Sequence, residues 1–205
     1  WLRFNERVLE EAREKNVPAF EKLKFISIFT SNLDEFFMIR VGSLYDQTFL
    51  SKPQIDNKTG MDAAEQLSEI FRAVAPLYKK RDKIYREVAG LLCEKGIAHP
   101  QMESLTAEER SFAEKYFIAD VLPVLSPQII NAHHPFPHLV NKALYIVLQM
   151  KISDKTAYGI IPMPAMQDRL IFLPGSGMRY VLLEELIYQY AERVFDNCEI
   201  NAKSI

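Results

Sequence analysis

A chain of 205 residues, 48% hydrophobic and 25% charged, carries enough apolar material for one sizeable core or two modest ones. That composition is ordinary for a globular protein and excludes the collagen-like, disordered and disulfide-scaffold classes. A net charge of −2 removes any global electrostatic case for nucleic acid or an anionic membrane, so a polyanion would have to be met by a local patch.

The first elements read as helices. Phe4, Val8, Leu9 and Ala12 recur at helical spacing, with Glu6, Arg7, Glu10 and Glu11 on the other side. Pro18 marks a break and can start the next helix. There Leu23, Ile26, Phe29, Leu33, Phe36 and Phe37 continue an apolar stripe to about residue 44. Residues 51–60 collect Ser, Pro, Asp, Asn and Gly and read as a loop. From Asp62 a third stripe runs through Leu67, Phe71, Val74, Leu77 or Tyr78, Ile84 or Tyr85, Val88, Leu91 and Leu92, with Pro76 inside it predicting a kink or split. Gly96 supplies the stop. One amphipathic helix needs the others to bury its stripe, so residues 1–97 are predicted to be an all-α bundle.

Residues 98–205 change character. Thr106 with Glu109 forms a capping box that starts a helix to about Asp120. Pro123, Pro127, Pro135 and Pro137 mark a non-helical crossing. Residues 143–151, 157–163 and 169–173 read as strands, Gly175 and Gly177 as a turn, and residues 180–195 as an amphipathic helix. The second part is therefore an α+β unit with a thin sheet of about three strands and no closing element, as expected of a truncated domain. The opening on Trp1 is likewise expected of a chain trimmed or cut from a longer one. Its longest apolar run, residues 143–148, is too short to span a bilayer, and its start has no signal-peptide pattern. Cys93 and Cys198 read as reduced thiols of a cytosolic protein.

Three stretches carry a resemblance. They are the run Trp1-Leu2-Arg3-Phe4-Asn5-Glu6-Arg7-Val8-Leu9-Glu10-Glu11-Ala12, residues 23–41 with Ser31-Asn32-Leu33-Asp34-Glu35-Phe36-Phe37 at their centre, and His134-Pro135-Phe136-Pro137 followed by Asn141-Lys142. In order and spacing they resemble the amino-terminal and head domains of the histidine-phosphorylating polyphosphate kinases, over essentially the whole chain. The resemblance implies an enzyme that moves the terminal phosphate of ATP onto polyphosphate, reversibly, through a phosphohistidine. It also implies that the nucleophile and the Mg2+ ligands lie in carboxy-terminal domains outside this sequence. What remains here would be an adenine contact and a head domain that assembles a dimer or higher oligomer. The implied partners are ATP or ADP, polyphosphate and the carboxy-terminal domains; nucleic acid and a membrane span are not among them. The implied location is the cytoplasm, with peripheral membrane association of the complete enzyme as a variant.

Asn32 matches the family's adenine-contacting asparagine, and a carboxamide offers the donor and acceptor that an adenine edge needs. Against this, Ser31 with Asp34, or Asn32 with Glu35, also reads as a capping box, leaving Asn32 a mere cap. Asp34 and Glu35 point about 100° apart on a helix and so do not converge on one ion; a first-turn charge or a bridge to Arg40 suits them better. His99, His133, His134 and His138 read as solvated or loop-packing, since the prolines prevent the helical spacing that metal ligands use. No catalytic or metal-binding residue is assigned. Lys79, Lys80, Arg81, Lys83 and Arg86 read as a solvated helix face, with guidance of a polyanion as the functional alternative. Phe25, Phe29, Phe36 and Phe37 read as core, not as a base-stacking surface. The competing readings of the whole chain are a non-catalytic helical protein-interaction module and, opposed by the net charge, a nucleic-acid binder.

Overall fold

A computed structural model of the chain describes all residues except 53, 132–133, 153–154 and 196–197. Two compact units result, Trp1–Lys95 and Gly96–Ile205.

The first unit is helical: α1 (Leu2–Glu11), α2 (Ala19–Phe36), a π-helical turn (Phe37–Val41), α3 (Gly42–Gln47) and α4 (Ala63–Cys93). Helices α1 and α2 form a hairpin packed on α4. The buried face of α1 is Asn5, Leu9 and Ala12, at i, i+4 and i+7. Phe4, which heads the sequence stripe, is half exposed instead. On α2 the buried residues are Ala19, Lys22, Ile26, Phe29 and Leu33. Lys22 is inside because its Nζ donates to the carbonyls of Ala12, at 3.1 Å, and Glu14. It thus serves the orphan carbonyls just beyond α1 with a cation, the charge that a helix C-terminus favours.

Helix α4 opens on a reciprocal capping box, Asp62 with Glu65. It then runs through Pro76 without the split that was one of the two expectations there. Val74 and Leu77, on either side of the proline, are buried, while Pro76 itself and Arg72, whose carbonyl loses its partner, are exposed. Packing holds the helix, and water can take the freed carbonyl.

The second unit contains β1 (Ile97–Ala98), α5 (Ala107–Tyr116), β2 (Gln128–Ile130), β3 (Tyr145–Ile152), β4 (Lys155–Pro162), β5 (Leu170–Phe172), β6 (Met178–Leu182), α6 (Leu183–Gln189) and β7 (Glu199–Ser204). These strands make two sheets, β1-β6-β5 and β2-β4-β3-β7, where the sequence suggested one thin sheet. Strands β3 and β4 pair antiparallel from Tyr145 opposite Pro162 to Ile152 opposite Lys155. The chain does have a late sheet element, because β7 adds to β3. The predicted helix over 180–195 is also corrected. Residues up to Leu182 are a strand paired with β5, and α6 starts only at Leu183, with the Glu185 carboxylate accepting from the Leu182 N–H at 2.9 Å. Residues 180–183 are a short apolar run, compatible with either period; a neighbouring strand decides.

The core of this unit joins both sheets to α5 and α6 through Phe117, Ile146, Leu148, Met150, Ile161, Val181, Leu186 and Ile187. Gly159 on β4 admits no side chain, since a Cβ there would collide with Met150 and Phe195. Thr106 and Glu109 make both bonds of the predicted capping box. Glu109, almost wholly buried, also receives Arg179 of β6, with Nε to Oε1 at 2.5 Å and Nη2 to Oε2 at 3.2 Å. One carboxylate therefore starts α5 and ties it to the small sheet.

Candidate functional site

Helix α2 continues through the π-helical turn into α3 without a free end near Asn32. Asn32 is therefore an interior helical residue, and the cap reading of Ser31, Asn32, Asp34 and Glu35 is overturned. The N-cap of α2 is Pro18. Asp34 and Glu35 stand in the last turn of α2, so the reading of them as first-turn charges fails as well.

Asn32, Glu35, Phe36, Ile39 and Arg40 recur at helical spacing and form one wall of a cavity of about 460 Å³, with Trp1 completing it. That volume lies in the range of small-molecule sites. The π turn begins immediately after Phe36, an irregularity of helical winding that often accompanies functional sites. Trp1 stacks on Phe36 with ring centroids 4.6 Å apart and planes 9° from parallel. Phe36 is thus part of a flat aromatic surface beside the cavity, while Phe29 of the same predicted stripe is fully buried core. Arg40 reaches Gln66 of α4 through Nη2, at 3.1 Å.

Behind Asn32 lies a residue that sequence reasoning missed. Asn5 is 0% exposed. Its Nδ2 donates to the Phe29 carbonyl at 3.0 Å, and its Oδ1 accepts from Asn32 Nδ2 at 3.0 Å. The available signal was its place at i−4 and i−7 from Leu9 and Ala12, on the face that turns out to be buried. Trp1 had no role in the sequence reading, and Arg40 only that of a bridge to Asp34 or Glu35.

The other candidates disperse. His99 meets Glu185 at 2.7 Å and stacks on Tyr180, His134 meets Asn131 at 3.1 Å, and His138 is exposed. His133 lies outside the described residues. Among the described residues no three His, Cys, Asp or Glu side chains are placed to hold a metal ion, and no helix is long and apolar enough to cross a membrane. The basic run is partly spoken for. Lys80 pairs with Glu6 at 2.8 Å and Glu10 at 2.7 Å, and Arg81 with Asp82 at 2.7 Å. Hydrogen bonds and attraction from Lys80 hold the Glu10 carboxyl below its ordinary range. Burial by itself would lower the Lys80 ammonium, but the bonds from Glu10 and Glu6 outweigh it and raise its pKa.

The comparisons agree with this architecture. A family profile described as the polyphosphate kinase N-terminal domain matches residues 1–99, and one described as the polyphosphate kinase middle domain matches residues 108–205. A polyphosphate kinase of Bacillus cereus is 40% identical over 98% of this chain and 30% of its own length. Another, from Staphylococcus epidermidis, is 37% identical over 98% of this chain and 27% of its own. The crystal structure of polyphosphate kinase from Porphyromonas gingivalis superposes with a TM-score of 0.82 at 25% identity, covering 99% of this chain and 31% of that one. Helical bundle and mixed sheet unit are thus the class of a kinase's N-terminal and middle domains. The chain belongs to the polyphosphate kinase family, and spans about 30% of the length of the curated relatives it matches.

Proposed function

We propose that this chain supplies the adenine contact and the assembly surface of an enzyme that transfers the terminal phosphate of ATP to polyphosphate. The observation that carries this reading is Asn32 itself: an interior helical carboxamide on a cavity wall, beside a stacked aromatic pair and backed by a buried asparagine. In the proposed division residues 1–97 meet the nucleotide and residues 98–205 assemble the oligomer in the cytoplasm. The chain contributes binding groups and no nucleophile, so it is inactive by itself. In this reading the Mg2+ ligands belong to the rest of such an enzyme.

Titrating the single tryptophan's fluorescence with ATP tests the nucleotide contact. Binding is expected to quench Trp1, and Asn32→Ala to weaken it by up to about tenfold, the value of one neutral hydrogen-bonded contact. In the same preparation γ-labelled ATP leaves the protein unlabelled. A variant that binds ATP normally but melts far lower would make Asn32 a purely structural residue; acid-labile label would remove the inactivity.

Assembly has its own test. Residues 98–205 present an exposed strand edge, the kind of surface that pairs with another copy. Light scattering is expected to find the whole chain as a dimer or larger species and residues 1–96 as a monomer. The reverse distribution would move the interface to the helical unit.

A further inference from the structure

We infer that Asn5 is a positioning residue that locks the Asn32 carboxamide in one of its two flips and thereby makes the cavity select adenine over guanine. The inference rests on the nucleotide reading of Asn32 and adds to it the residue that sets base selectivity.

The argument starts from hydrogen-bond polarity. A carboxamide is nearly symmetric in shape, with an oxygen on one side and an NH2 on the other. Turning it by 180° exchanges acceptor for donor at almost no steric cost. Adenine and guanine differ by the same exchange: where adenine offers its exocyclic amine, guanine offers a carbonyl oxygen. On the pairing edge, adenine's neighbouring ring nitrogen is an acceptor and guanine's carries a proton. A carboxamide free to turn can therefore read either purine, and a fixed one reads a single purine.

In this structure the flip is determined by a chain of obligatory partners. The Phe29 carbonyl can only accept, so the group that faces it from Asn5 at 3.0 Å must be the NH2. That turns the Asn5 oxygen toward Asn32, and the group facing it at 3.0 Å must again be an N–H. Asn32 is left with its oxygen and its second N–H for a ligand, the acceptor–donor pair that matches adenine's amine and adjacent ring nitrogen. Flipping Asn32 would set two amide oxygens against each other beside a residue with no access to water. Flipping Asn5 would set its oxygen against the Phe29 carbonyl. The whole relay is anchored on the backbone of α2, the helix that carries Asn32, so the lock moves with the site.

The test uses the intact chain and the quenching of Trp1 by ATP and by GTP. The wild-type chain is expected to prefer ATP by about tenfold, the lower part of the range for one bidentate base-reading pair. Asn5→Leu keeps the branched shape of the side chain, with somewhat more volume, and removes both bonds, and is expected to bring the two affinities within about twofold. A merely structural Asn5 would lower the melting temperature and weaken both nucleotides alike, leaving the ratio at its wild-type value; that result overturns the inference while the nucleotide reading stands. If the wild-type chain binds neither nucleotide, both fall together. Should Asn5→Leu fail to fold, the wild-type protein decides: a through-hydrogen-bond scalar coupling between Asn32 Nδ2 and Asn5 Cγ is expected by nitrogen-15 and carbon-13 NMR, and its absence overturns the lock.

Discussion

Arg179→Ala is expected to destabilise the second unit by about 2–3 kcal/mol at pH 7 and by clearly less near pH 4. The Glu109 side chain is only 5% exposed, whereas that of Arg179 is 34% exposed. Removing the cation leaves a carboxylate that has lost its water and its counter-charge. Because the guanidinium is partly solvated and the Thr106 cap bonds persist, the cost falls below that of breaking a fully buried pair. The pH dependence follows from the direction of the shift. The Arg179 bonds hold the Glu109 carboxyl below its ordinary 4.5, against a burial effect that pushes upward, with the Thr106 N–H helping to lower it. A depressed carboxyl contributes stability that is complete above the unfolded value and is lost as pH falls through the folded one. In the wild-type protein that contribution fades below about pH 4.5. In Arg179→Ala burial is left without its main opponent, so the pKa rises and acid relieves the strain. Urea unfolding at pH 7 and pH 4 measures both. An equal loss at the two values would mean that the carboxylate charge is not what Arg179 serves.

Phe29→Ala is expected to cost about 3–5 kcal/mol in the helical unit, the largest effect of any single change proposed. Phe29 is 0% exposed, at the centre of the buried face of α2, and its removal leaves a cavity that rigid helices close only in part. The same substitution at Phe4, 53% exposed, is expected to stay within about 0.5 kcal/mol. Denaturant unfolding of the two variants gives a direct contrast, and similar losses would contradict the assignment of the buried face. The substitution keeps the main-chain carbonyl that receives Asn5, but the cavity loosens the α2 backbone that carries it, so ATP binding by Phe29→Ala is expected to fall along with stability.

The contrast between Phe4 and Phe29 shows which features a sequence can reveal. The helical bundle, the opening of α4 at Asp62 and the Thr106 capping box were readable because each depends on residues within a turn or two of one another. A period of 3.6 and a reciprocal cap are local properties. The motif around Asn32 was readable as a resemblance for the same reason: its residues are consecutive.

What needed the tertiary structure was every question whose answer lies in a distant residue. Residues 178–182 are a strand because β1 pairs with Met178 and Arg179 and β5 with residues 180–182, not because of their own pattern. Pro76 stays within a helix because Val74 and Leu77 are buried beside it. Asn32 is no cap because α2 runs on through residue 36, and Asn5 is inside because the Phe29 carbonyl and Asn32, 24 and 27 residues away, satisfy its amide. Apolar spacing tells which residues water rejects; it does not tell which polar group finds a partner after the chain has folded back. Burying Asn5 costs little only when both of its bonds exist, and those bonds exist only once α1 lies against α2.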